Sequence, residues 1–341
     1  MTLENFKHLK TDALSIELWR REHAGLPAHQ QLVRLSDAAL RQELAERHCD
    51  IEHVAWFPPN DDRRDPLCTP NLAAPVMQRV QRSCYLIGAG AVHRAGPGRV
   101  QLHHLKYGEA NSLCDSEPFR CQPSVVERHG ESYGGYGYSG YLLGRRHILT
   151  CWHGWDYFSH DTQVAIFGYH ARAACDNPTT LPERCVYAVK PYPVAYAPAT
   201  PEANGVCPGD WVVLELQRPV DHLPDVARPT IGMARVGMAV YTLGYPCGLP
   251  LKLADGATVL SIGSGDFRAD LDTFDGNSGS PVFDAQTHTL LGIIVEAQKG
   301  EGDFEPSPAL HCYVGNRIDS RIIGQRAVAA SCFAAAVLTG R

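Results

Sequence analysis

From residue 80 onward, the apolar positions of the chain fall in short runs at 84–92, 141–149, 163–169, 186–192 and 211–216, separated by turns marked with glycine or proline. Short runs bounded in this way read as β-strands. Further runs at 239–243, 258–262, 282–283 and 290–295 supply enough strands for two six-stranded barrels. The alanines and spaced apolar residues of 320–338 predict a terminal helix. The front of the chain follows a different period. Thr11-Asp12 caps a helix carrying Leu14 and Leu18, and Ser36-Asp37 caps another carrying Leu40 and Leu44. The proline-rich, charged stretch 58–66 suits neither a helix nor an inner strand. The expected organisation is a helical N-terminal module at 1–57, a linker at 58–75 and a β-rich domain at 76–341. The module reads either as an adaptor that recruits a regulatory partner or as an extension packed for stability.

Composition narrows the function classes. In 341 residues, 31 Lys and Arg stand against 37 Asp and Glu, a formal net charge of −6. That balance gives no basic footprint for nucleic acid and no polybasic membrane patch. No apolar run reaches the roughly 18 residues of a membrane span, so a soluble chain is expected. Residues 1–8 show no apolar core or small-residue cleavage site, so no secretory signal is expected and the protein reads as cytoplasmic. In that compartment the twelve cysteines are expected as reduced thiols. No Cys-x-x-Cys pair supports a structural zinc. His147, Cys151 and His153 read as a strand end alternating between faces. No metal or cofactor is expected.

The candidate chemistry begins at Gly276-Asn277-Ser278-Gly279-Ser280-Pro281. A serine in a glycine-lined turn entering the apolar pair Val282-Phe283 can present a bare hydroxyl beside unpaired backbone amides, which suits an acyl-transfer nucleophile. Glycine, asparagine and serine also make ordinary hairpin turns, so the sextet needs a base to gain meaning. Residues 148–154 run an apolar strand into His153. An imidazole accepts a serine proton near neutral pH, provided that a third group holds its tautomer. Asp210, at the head of the buried run 211–216, is the preferred third group. Asp156 is the rival, but it lies on the same loop as the histidine, and a sequence neighbour rarely orients the ring from behind.

Together these segments resemble the trypsin-like (chymotrypsin-fold) serine peptidases over roughly residues 78–325, with Gly-Asn-Ser-Gly-Ser-Pro-Val most similar to the bacterial glutamyl endopeptidase branch. Tyr138-Ser139-Gly140 and Gly244-Tyr245-Pro246 add to the likeness. The resemblance implies an all-β fold of two six-stranded antiparallel barrels, a C-terminal helix and a catalytic triad. It makes His153 the general base, Asp210 its orienter, Ser278 the nucleophile, the amides of Gly276 and Ser278 the oxyanion hole, and Val295-Glu296-Ala297 the strand that pairs with a peptide substrate. Asn277 stands where animal digestive relatives carry the aspartate that captures a new N-terminus, so that mode of activation is not expected. Gly154 and Phe274 stand where relatives often place disulfide cysteines.

Asp272 lies six residues before Ser278, on the loop expected to wall the specificity pocket, and favours a basic P1 side chain. Thr273 fits an acidic preference instead, but Ile294 replaces the histidine that such relatives use. The leading expectation is a serine endopeptidase acting on a protein or peptide. The alternatives are a catalytically inactive peptidase fold used for binding, and an esterase or other acyl hydrolase.

Overall fold

The computed structural model describes residues 66, 72–102, 105–113, 133–158, 162–171, 180–198, 209–223, 227–296, 304–307, 312–315 and 324–339. The helices expected within 1–57, and most of the expected linker, lie outside the described residues. The chain divides into two compact units. One joins 1–61 with 106–130 and 301–317, and the other comprises 62–105, 131–300 and 318–341. In the first, the described parts are a short helix, α2 (Tyr107–Ala110), and the antiparallel pair β16 (Phe304–Ser307) and β17 (Cys312–Gly315).

The second unit is mostly β. Its first half contains β1 (Ser83–Gly88), β2 (His93–Arg94), β3 (Arg99–Gln101), β4 (Gly137–Leu142), β5 (His147–Thr150), β6 (Gln163–Phe167), β7 (Thr180–Pro182), β8 (Val186–Ala188), β9 (Ala195–Ala197) and β10 (Trp211–Glu215). Its second half contains β11 (Ala239–Gly244), β12 (Lys252–Ile262), β13 (Asp266–Ala269), β14 (Pro281–Asp284), β15 (Leu290–Glu296) and β18 (Gln325–Ala329). The second half closes into a six-stranded barrel of order β11-β12-β13-β18-β15-β14. The first half forms a seven-stranded sheet, β8-β6-β1-β4-β5-β10-β9, beside a smaller sheet β2-β3-β7. The unit is mostly β, as expected from the sequence, but of the two closed six-stranded barrels expected the second half forms one and the first half is an open sheet.

The expected terminal helix over 320–338 needs correction. Residues 325–329 are β18, and a helix, α4, occupies only Ala334–Thr339. Alanine favours helix intrinsically, but β18 bridges β13 and β15 with every neighbour antiparallel. Closing the barrel satisfies the backbone groups of three strands at once, which outweighs a weak local preference.

A helix absent from the expectation, α1 (Ala74–Arg82), precedes β1 with Pro75 in its first turn. Val76 and Val80, four residues apart, bury one face. Arg79 lies over the Phe283 ring and Arg82 over the Tyr141 ring, while their guanidinium groups donate to the carbonyls of His288 and Leu142. Helix α1 thereby ties the first sheet to the barrel.

All six residues of β4 are buried. The strand lies between β1 and β5, with Tyr85↔Ser139 and Tyr141↔Leu149 as register pairs. One core cluster gathers Leu86, Ile148, Phe167 and Val213 with Leu243 and Phe283, and a second fills the barrel with Val240, Val259, Phe267, Leu291 and Ile294. Cys84, Cys151, Cys185, Cys247 and Cys332 are thiols, as expected. Cys312 is disulfide-bonded, which corrects the expectation that every cysteine is reduced. Among the described residues, no helix is long and apolar enough to cross a membrane.

Candidate active site

The histidine arrives by a strand-to-helix switch. Strand β5 pairs with β10 through Leu149↔Val213 and Thr150↔Val212, and the chain then turns at Cys151 into α3 (Trp152–Tyr157), with His153 in the first turn. Trp155, fully buried one turn along, pins this helix to the core. The aspartate comes from the head of β10, the strand paired with β5. Its amide donates to the carbonyl of Ala197 at 2.7 Å, and its φ of 77° lies in the left-handed region that aspartate tolerates better than most side chains. This bend aims the carboxylate at α3.

Asp210 meets His153 at three points. The His153 backbone N–H donates to Oδ1 at 2.9 Å, and Nδ1 lies 3.0 Å from Oδ1 and 2.8 Å from Oδ2. Such a pair holds the tautomer with its proton on Nδ1 and leaves Nε2 as the acceptor. The Asp210 side chain is 8% exposed and that of His153 is 43% exposed, so the carboxylate is shielded while the ring has an open edge. Enclosure lowers the imidazole pKa, but the neighbouring Cys151 sulfur and the Asp210 carboxylate bonded to Nδ1 outweigh it and raise the group above its ordinary value. The rival Asp156 is exposed on the same helix, and Nδ1 is taken by Asp210.

The turn that carries Ser278 is built from buried, uncharged hydrogen bonds. Ser139, midway along β4, donates its hydroxyl to the Gly276 carbonyl at 2.7 Å, accepts from the Tyr245 amide at 3.0 Å, and donates its own amide to the Ser278 carbonyl at 2.9 Å. Asn277, 3% exposed, donates through Nδ2 to the Phe274 carbonyl at 3.2 Å and accepts from the Ser280 hydroxyl at 3.3 Å. The neutral amide is thus used inside the turn. Gly276 and Gly279 have φ of 87° and 84°, which side chains rarely adopt.

At Gly279 there is also no room. A methyl built there would stand 2.1 Å from the Ser139 carbonyl oxygen, 2.3 Å from Thr150 Oγ1 and 3.0 Å from the Cys151 nitrogen. The residue after Ser278 is therefore wedged against the strand end from which His153 projects. Gly279 also donates to Ile294 at 2.7 Å, which locks the turn to β15.

Of the residues assigned to substrate binding, Asp272 is half-buried with Oδ2 sealed from solvent, and Thr273 is 8% exposed. Ile294 lies in the barrel core at 2% exposure and Val295 is buried. Glu296 accepts from Arg326 Nε at 2.6 Å, so its carboxylate is directed sideways to β18. Ala297 lies outside the described residues. The Gly276 amide donates to Oδ1 of Asp275 at 3.1 Å.

The structure brings His153 and Asp210, both expected from the sequence, into hydrogen-bond contact, and the expectation gave Ser139, Thr150 and Asp275 no role. A serine inside the otherwise apolar β4 was the available signal for Ser139. Among the described residues, no group of three or more His, Cys, Asp or Glu side chains is placed to hold a metal ion.

No curated protein matches the chain. Solved structures that resemble it at low identity include three proteases or protease relatives. Rv3671c of Mycobacterium tuberculosis, an inactive serine-to-alanine mutant, is 13% identical over 82% of this chain and 94% of its own, with a TM-score of 0.42. The scabies mite inactivated protease paralogue S-I1 is 13% identical over 77% and 94%, at 0.42, and the Vibrio cholerae VesB protease is 14% identical over 79% and 65%, at 0.43. Residues 138–293, which carry the His153–Asp210 pair and the whole Ser278 turn, match the family model for the trypsin-like peptidase domain.

Proposed function

We propose that this chain is a serine endopeptidase in which His153, Asp210 and Ser278 form the triad. Ser278 Oγ attacks the scissile carbonyl as its proton passes to His153 Nε2, and the developing oxyanion takes hydrogen bonds from the amides of Gly276 and Ser278. The same proton then goes to the leaving amine, leaving an acyl ester on Ser278. Water repeats the sequence, giving its proton to Nε2 and releasing the acid. Asp210 stays ionised, stabilises the transient imidazolium and fixes the tautomer. The observation that carries this reading is the shielded Asp210 carboxylate bonded to both the ring and the amide of His153. Cleavage of a mixed peptide library, read by mass spectrometry, tests it. New termini are expected with wild type and none with Ser278→Ala, whereas turnover of esters alone would favour an acyl hydrolase.

Specificity is part of the proposal. A half-buried carboxylate on the loop expected to wall the specificity pocket, as at Asp272, gains when a substrate brings a cation, which supports Lys or Arg at P1. Ile294, an apolar core residue, offers nothing to an acidic side chain. In the same library, Asp272→Ser is expected to lose the basic preference, and an unchanged profile removes Asp272 as its determinant. A regulatory partner acting through residues 1–57 completes the proposal. Deleting 1–75 is expected to change activity or partner binding, and retention of both rejects that role.

A further inference from the structure

The inference concerns the site just described and rests on reading Gly276 as an oxyanion donor. The Gly276 N–H donates to Oδ1 of its own neighbour, Asp275, at 3.1 Å. An anionic oxygen therefore already holds the hydrogen bond that a developing oxyanion needs. The backbone around it is fixed, because the Asp275 carbonyl accepts from the Cys247 amide at 2.5 Å and the Gly276 carbonyl accepts from Ser139. The Asp275 side chain is exposed, so it can rotate away while the turn stays in place.

The surroundings of the carboxylate indicate what would draw it off. Tyr136 lies beside it, and partial enclosure together with the Asp275 charge pushes that phenol up to about 12. Tyr85, Tyr133 and Cys247 are further titratable groups nearby. Tyr136 packs edge-on against Tyr157 with ring centroids 5.6 Å apart and stacks on Phe158 at 5.7 Å. Both tyrosines are open to solvent, at 52% and 72% exposure. Tyr157 ends α3, whose first turn carries His153. Tyr157 shares that helix with His153, the proton donor to the leaving amine, so the rings lie on the histidine side of the site. An exposed carboxylate beside exposed aromatic faces attracts a cation by charge and by the ring quadrupole.

We propose that Asp275 is a specificity-determining residue whose carboxylate covers the Gly276 amide until a lysine or arginine side chain on the leaving-group side of the scissile bond draws it away. Substrates with that cation open the oxyanion site that they then use.

Two readouts test this in the full-length protein. One is the second-order rate of labelling by an uncharged fluorophosphonate. The other is the cleavage profile in a mixed peptide library. Asp275→Ala is expected to label about tenfold faster than wild type, a smaller factor than the roughly 10²–10³ lost with a whole oxyanion donor. The library should show Lys and Arg enriched at the first two leaving-group positions for wild type, and not for Asp275→Ala. Asp275→Asn, which keeps the shape and the acceptor oxygen, should lose the enrichment as well.

Labelling of Asp275→Ala no faster than wild type, or an enrichment that survives in both variants, overturns the inference. Ser278→Ala separates this failure from failure of the underlying reading. If labelling disappears in Ser278→Ala yet wild type and Asp275→Ala label equally, the triad stands and the role of Asp275 falls. Labelling that persists in Ser278→Ala, or is absent from every folded variant, overturns both.

Discussion

The Ser278 turn and the histidine–aspartate pair are neighbours held by opposite means. The turn rests on neutral, buried hydrogen bonds from Ser139, Asn277 and Ser280 and on a glycine wedged against β5. The pair rests on one shielded carboxylate whose backbone sits at a φ of 77°. Many weak bonds share the work in the first case, and a single charge does it in the second. Removing the charge should therefore disable chemistry without loosening the fold, and removing a hydroxyl from the turn should do some of both.

The largest effect is expected from Ser278→Ala, which deletes the proposed nucleophile. Its hydroxyl is absent from the hydrogen bonds that hold the turn, so peptide hydrolysis should fall by about 10⁶ with an unchanged melting temperature. A substantial drop in melting temperature would show that the hydroxyl is structural.

Asp210→Asn comes next. Asparagine tolerates the left-handed backbone, so the fold should persist while kcat falls by about 10⁴ through the wrong tautomer. The carboxylate helps to raise the His153 pKa, so removing it lets the base form persist to lower pH. The acidic limb of the kcat/KM profile should move down. For stability the sign is opposite to that of a paired acid. A raised folded pKa contributes stability that is complete below about pH 6.5 and is lost as pH rises through the folded value. That contribution, reduced by solvent at a ring 43% exposed, should vanish from the difference between wild type and Asp210→Asn as pH rises. An acidic limb that stays in place would mean that Asp210 does not set the charge state of His153.

Ser139→Ala sharpens the contrast. It leaves the Tyr245 amide and the Gly276 carbonyl without their buried partner, at a cost of about 1–3 kcal/mol. Activity and denaturation midpoint should fall together, unlike in Asp210→Asn. Loss of activity at constant stability would place Ser139 with the chemistry instead of the scaffold.

The smallest effect is expected at the partly exposed Arg326–Glu296 pair, where Arg326→Gln should change stability by about 0–1 kcal/mol in denaturant titration. A larger loss would mean that barrel closure depends on this ion pair.

How much of this was legible in the sequence follows from the range of each interaction. The strand before His153, the head of β10 at Asp210 and the glycine turn at Ser278 were readable because each residue type coincides with a local pattern that positions it. Ser139 was missed as a support because its partner Gly276 lies 137 residues away. Residues 325–329 were misread as helix because alanine speaks locally for helix, whereas closing a barrel is a demand made by β13 and β15. Helix α1 was passed over because Pro75 suggested a linker, although proline in a first turn also starts helices. Asp275 was not singled out because the hydrogen bond that matters depends on how the turn orients a peptide group.

The most direct test of the triad is the position of the adduct formed by a fluorophosphonate on the intact protein, mapped by peptide mass spectrometry. A single adduct on Ser278, lost in Ser278→Ala and strongly suppressed in Asp210→Asn, is the result this account predicts. A folded wild-type protein that forms no adduct, or carries it on another residue, would contradict it.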